Sequence, residues 1–326
     1  MSGSARRREL SRAENRYKVT DSFDDPRKAI LNRGLGCLIG LAVGDALGTT
    51  LEFEDRDSRP PVTDIVGGGP FGLKPGEWTD DTSMALCLAD SLLARGRLDQ
   101  TDILDRFLRW YDSGENSVNG RCFDIGGATS SALDRYRGTG DPNSGSDHPR
   151  TAGNGSIMRL APIALRWHND SSTAVENARA QSRTTHAAPE AVEGCALLAE
   201  ILVDAIATGD KAVALRDRTS LAPRIHEIAT GGWRGKTRDE IRSSGYVADT
   251  LHAALWAVDR EDNFADAVIL AANLADDADT VAAVTGQIAG AIWGLSGIPE
   301  RWLDILAWRP EIEDRGRRLL AAATSA

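Results

Sequence analysis

Cysteine is scarce in this 326-residue chain: Cys37, Cys87, Cys122 and Cys195 stand far apart and form no C-x-x-C pair. Neither a zinc cage nor a disulfide framework is suggested, and a reduced, cytoplasmic setting is expected. Positive charge is also short, with 38 Lys and Arg against 48 Asp and Glu, a net charge of −10. Binding nucleic acid over a broad surface requires an excess of cations on one face, so no nucleic-acid partner is expected. Arg6, Arg7 and Arg8 are not followed by an apolar run, and no secretory signal is expected. The most apolar runs, 34–51 and 281–295, contain Asp45 and Gln287 and read as buried helices rather than membrane spans. Strand-like alternation is nearly missing as well.

What recurs instead is the helical period, as in Met84, Leu88 and Leu92, or Leu197, Leu198, Ile201 and Leu202. The spacing predicts helices over about 27–48, 79–95, 100–112, 124–136, 156–168, 173–182, 188–208, 213–228, 247–259, 263–274, 279–295 and 299–306. The fold class is therefore all-α, one domain over 28–326. Residues 1–27, polar and charge-mixed, read as a flexible or partner-binding arm. The segments 54–77 and 137–155 are rich in Gly, Pro, Asp and Ser, and loops of that length in a compact domain often carry function.

Two helices carry glycine stripes, Gly36, Gly40, Gly44 and Gly48 in one and Gly286, Gly290 and Gly294 in the other. Each interior glycine costs a helix about 0.5–1 kcal/mol relative to alanine. A compensating close contact is implied, with the two helices central and packed on each other or on separate neighbours.

Two short segments place oxygen donors just ahead of apolar helices: Trp78-Thr79-Asp80-Asp81-Thr82-Ser83 and Asp276-Asp277-Ala278-Asp279-Thr280. Either alone suits a helix N-cap. Capping needs one side chain, however, and here Asp80, Asp81, Asp277 and Asp279 offer four carboxylates. If both helix starts converge, carboxylates 4 Å apart repel by about 4 kcal/mol per pair at an effective dielectric of 20. Hard divalent cations would resolve that repulsion, and four carboxylates balance two such ions.

Taken together, the motifs resemble the ADP-ribosylglycohydrolase family, the relatives of dinitrogenase reductase-activating glycohydrolase. The likeness covers about residues 30 to 305. It rests on Gly40-Leu-Ala-Val-Gly-Asp-Ala-Leu-Gly48, Trp78 to Ser83, Cys122-Phe-Asp-Ile-Gly126, Gly153-Asn-Gly-Ser-Ile-Met-Arg159, Thr185-His186 and Asp277-Ala-Asp-Thr280. The resemblance implies an orthogonal multi-helix fold and two divalent cations, Mg2+ or Mn2+, held by residues matching Thr79, Asp80, Asp81, Asp277, Asp279 and Thr280. It departs in one place: Ala275-Asp276 stands where glycine often precedes the last motif, which would crowd the turn or add a fifth carboxylate.

The implied reaction is hydrolysis of ADP-ribose from arginine on a protein substrate. Asp124 matches the catalytic aspartate of the arginine-directed branch. Glu52 follows the glycine helix where another branch, acting on ADP-ribosyl-serine or O-acetyl-ADP-ribose, has a glutamate. Asp80 is grouped with these two as a catalytic candidate. The turn Gly153, Asn154, Gly155 and Ser156 would bind the diphosphate through its N–H groups, His186 would hydrogen-bond the ribose or phosphate, and Phe123 or Trp110 would stack on adenine or on the target side chain. A reading of another class is an immunity protein whose arm plugs an ADP-ribosylating toxin, motivated by Arg6, Arg7, Arg8 and Arg12.

Overall fold

A computed structural model describes residues 25–323. All of the arm except residues 25–27 lies outside the described residues. Fourteen α-helices and no strand occur among the described residues: α1 (Pro26–Gly48), α2 (Asp80–Arg95), α3 (Gln100–Ser113), α4 (Gly127–Thr139), α5 (Ala161–Arg166), α6 (Ser171–Arg183), α7 (Pro189–Thr208), α8 (Lys211–Ala214), α9 (Pro223–Ala229), α10 (Val247–Arg260), α11 (Phe264–Ala272), α12 (Ala278–Trp293), α13 (Glu300–Ile305) and α14 (Arg309–Ala323). Local chemistry sets many of the boundaries. Asp25, Asp99, Asp170, Asp210 and Asn263 each accept a backbone N–H in the first turn of the helix that follows. Left-handed Gly96, Gly114, Gly140 and Gly209 end α2, α3, α4 and α7.

The glycine stripes meet each other. A Cβ at Gly36 would collide with the Gly290 carbonyl oxygen, at Gly40 with that of Gly286, at Gly44 with that of Ala282, and at Gly48 with that of Ala278. The pairing runs antiparallel, so the C-terminal end of α1 lies on the N-terminal end of α12. Around this pair, α12 also packs on α7, α10 and α11, while α14 covers the start of α1 together with α2 and α5. By length and composition the segment 26–51 is apolar enough to cross a bilayer, contrary to the expectation drawn from Asp45, yet its apolar window is wholly enclosed by protein.

Several boundaries differ from those the periodicity predicts. The segment 156–160 is a series of turns, and helix begins only at Ala161, one residue before Pro162, whose missing N–H is tolerated in a first turn. Residues 124–126 precede α4 rather than join it, because Asp124 is left-handed with φ 61°. The predicted helix 213–228 is two short helices, the second starting at Pro223. The unpredicted α14 hides its apolar face of Ile312, Leu319 and Leu320 among the charges of 311–318, and Gly316 lets it settle onto Leu35.

Gly40→Ala should cost at least about 1–3 kcal/mol of unfolding free energy, because backbone on both sides leaves nothing to yield. Gly138→Ala, in α4 with no atom within 4 Å of the added carbon, should instead stabilise by about 0.5–1 kcal/mol. Urea unfolding of the two variants compares them, and equal midpoints would remove the close-contact explanation of the stripe.

Candidate active site

The antiparallel contact brings α1's last turn to both acidic helix starts. Asp45, the lone acid in the apolar glycine helix, is fully buried. Its carboxylate accepts the Thr79 N–H at 2.8 Å and hydroxyl at 2.9 Å, and the Thr82 N–H at 3.0 Å and hydroxyl at 2.6 Å. Glu52, just past α1, accepts the Ala278 N–H at 2.8 Å and that of Asp279 at 3.3 Å. Remote residues thus cap α2 and α12, while the local N-cap residues Thr79 and Asp277 make no side-chain capping bond. Capping therefore does not account for Asp80, Asp81 and Asp277, while Asp279 accepts the Thr280 N–H at 2.7 Å through one oxygen only.

Asp80, Asp277 and Asp279 turn into one cleft of about 510 Å³, lined by Glu52, Asp80, Asp124, Asp277, Asp279 and Thr280 together with Phe53, Asn154, Met158 and His186, while Thr79 and Asp81 are fully buried and are not part of its lining. Oxygens of Glu52, Asp277 and Asp279 all lie within 4.8 Å of one another. Thr280 Oγ1 lies 3.4 Å from Asp81 Oδ1, and Asp81 Oδ2 is buried with no hydrogen-bond partner. Thr79 Oγ1 sits 2.9 Å from Asp45 and 3.2 Å from Asp279. One hydroxyl proton serves only one of these carboxylates at a time, so the other faces an oxygen lone pair. A bare carboxylate oxygen, facing acceptors and a wholly hard-oxygen donor set all fit a divalent cation.

The carboxyl groups feel the crowding. Burial, reinforced by the Asp279 charge, pushes Glu52 up to about 12 and both Asp45 and Asp277 up to about 7. Burial and the Asp80 charge push Asp124 up to about 11. Asp80 and Asp81 are raised by burial first and by Asp279 next.

Opposite the acids stands the Gly153-Asn154-Gly155 turn. The Asn154 amide donates to Asp277 Oδ2 and to Thr250 Oγ1, both at 2.9 Å, fixing the carboxylate's orientation. A Cβ at Gly155 would collide with the His186 ring, and one at Gly153 would meet the same ring in a tight contact. His186 Nδ1 lies 2.8 Å from the Thr185 hydroxyl, and burial, with Arg159 nearby, depresses the imidazole to about 3, so the ring is neutral. The N–H groups of Gly153 and Asn154 are donated to the carbonyls of Thr151 and Gly245, so they are not open to a phosphate. The Ser156 side chain lies beneath the turn, accepting from Ser182 at 2.9 Å, and does not line the cleft.

Of the proposed stacking residues, Trp110 is fully buried in the core, whereas Phe123, half-buried and next in sequence to the cleft residue Asp124, is not itself in the cleft lining and packs against Phe71, with ring centroids 5.3 Å apart. The Ala275-Asp276 departure is absorbed as strain: both residues are left-handed, with φ 59° and 63°. Asp276 is not a fifth acid in the cleft, because it lines the neighbouring groove beside Arg56. Sequence reasoning missed Asp45 and Glu52 as caps and Phe53 as a cleft residue. The signal for Asp45 was present, a single charge in an apolar helix, which burial makes costly unless it is fully bonded.

Carboxyls raised in the folded state hold protons that the unfolded chain releases at ordinary carboxylate values. Their contribution to stability therefore falls as pH rises from about 4 through 7 and beyond. His186 acts in the opposite sense between 6.5 and about 3. Without divalent cations the melting temperature should be higher near pH 6 than near pH 8, and Mg2+ or Mn2+ should raise it most at pH 8. Thermal melts in chelator and in each cation check this, and a cation effect independent of pH would contradict it.

Comparison with known proteins agrees with this geometry. The family model described as ADP-ribosylglycohydrolase matches residues 26–326. A Pseudomonas putida protein named ADP-ribosylarginine hydrolase Tri1 is 53% identical over 294 residues, covering 90% of this chain and 79% of the relative. A Serratia proteamaculans protein of the same name is 50% identical over 299 residues, covering 91% and 81%. A solved structure described as an ADP-ribosylglycohydrolase-related protein complex superposes with a TM-score of 0.80 at 43% identity, over 91% of this chain and 99% of that one. Matching in sequence and in fold, the chain belongs to the ADP-ribosylglycohydrolase family.

Proposed function

We propose that this chain hydrolyses the N-glycosidic bond between ADP-ribose and an arginine side chain of a modified protein. The observation that carries the proposal is the convergence of Glu52, Asp80, Asp124, Asp277 and Asp279 on one cleft. The choice of arginine is supported by the two relatives named ADP-ribosylarginine hydrolase.

Thr79, Asp80, Asp81, Asp277, Asp279 and Thr280 are the residues we assign to two divalent cations, Mg2+ or Mn2+, with Glu52 close enough to join them. When bound, such ions supply positive charge that grips vicinal ribose hydroxyls and activates a water. The remaining work falls to the chain. Cleavage forms a bond from water oxygen to the ribose anomeric carbon and breaks the bond from that carbon to the guanidine nitrogen, through an oxocarbenium-like state that nearby carboxylates stabilise. One water proton passes to a carboxylate, and the departing guanidine takes up one proton to leave as guanidinium.

Asp124 is the carboxylate we assign to this proton traffic. It lines the cleft without a cap to make, whereas Glu52 Oε2 already receives two backbone N–H groups. The neutral His186 beside the turn provides a hydrogen-bonding ring without adding charge. The ADP portion would run into the adjoining groove of about 830 Å³, which shares Gly127, Ala128, Gly153 and Gly245 with the cleft and adds Arg135, Arg150 and Tyr246.

Incubation with arginine-ADP-ribosylated protein should release ADP-ribose in Mg2+ or Mn2+ and not in chelator; no release under either ion would refute the assignment. Asp124→Asn should lower kcat by about 10²–10⁴-fold, the usual worth of a general acid–base group, while cation binding persists. Asp80→Asn and Asp279→Asn should instead weaken cation binding measured by calorimetry.

A further inference from the structure

Five phenylalanines fall within the described residues, and two of them, Phe107 and Phe264, are fully buried. The other three form a chain of contacts that starts from Phe53 in the cleft wall: Phe53 and Phe71 have ring centroids 6.3 Å apart at 74°, and Phe71 and Phe123 5.3 Å apart at 58°. Phe53 is 68% exposed, although its backbone is left-handed at φ 61° and its N–H is tied to the Asp276 carbonyl at 2.8 Å. A bulky residue held in that conformation is strained, and strain that presents an apolar ring to solvent points to a ligand.

Position identifies which ligand. Phe53 follows Glu52 and Phe123 precedes Asp124, so the rings flank carboxylates of the cleft. The groove assigned above to the ADP portion has neither ring in its lining, which leaves the aromatic side for the leaving group. Phe53 also walls a second groove of about 600 Å³, lined by Glu54, Asp55, Asp239, Asp249 and Asp276 against two cations, Arg56 and Arg242. Arg56 directs its guanidinium to the carbonyls of Leu274, Arg238 and Ile241. Charge therefore favours a cationic occupant, and the rings favour a flat one.

We infer that Phe53, with Phe71 and Phe123, forms the subsite that receives the arginine side chain, its guanidinium lying against the rings as the glycosidic bond breaks. The inference rests on the arginine-hydrolase reading and names the residues that select the leaving group. A planar, weakly hydrated guanidinium stacks well on aromatic faces. A serine hydroxyl or an acetyl group gains nothing comparable, so the rim discriminates among ADP-ribosyl linkages. Aromatic contact also lets the product go more readily than a bidentate carboxylate would.

The test uses the full-length protein with cation and an arginine-ADP-ribosylated substrate, with agmatine as a competing guanidinium. Phe53→Ala should raise KM and the agmatine inhibition constant by roughly tenfold, the scale of a partly desolvated cation–π contact, while inhibition by free ADP-ribose is unchanged. Phe53→Trp should restore both, and Phe53→Leu, which keeps bulk without the ring's charge distribution, should not. A KM and agmatine constant unmoved by Phe53→Ala, or restored equally by Leu, overturns the inference while wild-type turnover upholds the hydrolase reading. Absence of wild-type turnover on arginine, with release from an ADP-ribosyl-serine substrate, overturns both.

Discussion

Contact between α1 and α12 without intervening side chains is the constraint from which the site follows. Wherever carbonyl oxygens occupy the space a Cβ would need, as at Gly36, Gly40, Gly44 and Gly48, the helix axes are held at one separation and one register. Because the helices run antiparallel, that register places Glu52 over the first N–H groups of α12 and leaves Asp45 beside the start of α2. Interior glycine weakens each helix taken singly, but backbone packing along the shared length, unattainable with any larger residue, offsets that loss.

The second constraint is electrostatic. A helix N-terminus ordinarily draws its own first-turn acid into capping, which would point Asp80 or Asp277 back at the backbone. Here the caps come from the end of another helix, so the local acids can converge in spite of their repulsion. Asn154, held by Thr250, then fixes one oxygen of Asp277. The outcome is a cage of carboxylates preorganised for positive charge, whose metal-free form is electrostatically frustrated.

Much of this was legible in the residues. The helical period marked most elements, and the glycine stripes implied a close helix contact. The two acidic segments, being too rich in carboxylates for caps, implied a shared site. What could not be read was long-range: Asp45 and Glu52 act across 34 and 226 positions of sequence, and no local pattern says which helix end a lone acid will meet. The Gly-Asn-Gly turn was visible as a motif, but the Gly245 carbonyl that takes the Asn154 N–H comes from a distant loop that no local pattern reveals. The split of the predicted helix at 213–228 and the concealment of α14 have a common cause, short apolar spacings crowded by charge or ended by proline.

The paired backbone bonds from Phe53 to Asp276 and from Asp276 to Glu54 join the strand of chain leaving α1 to the one approaching α12. The oxygens of Asp80, Asp277 and Asp279 therefore sit on rigid helix ends, while the surfaces that would greet a macromolecule belong to the connecting segments beyond this clasp. Such a division of labour lets those outer segments diverge in length and composition among related proteins without disturbing the cage, so that new clients can be acquired on an unaltered chemical core.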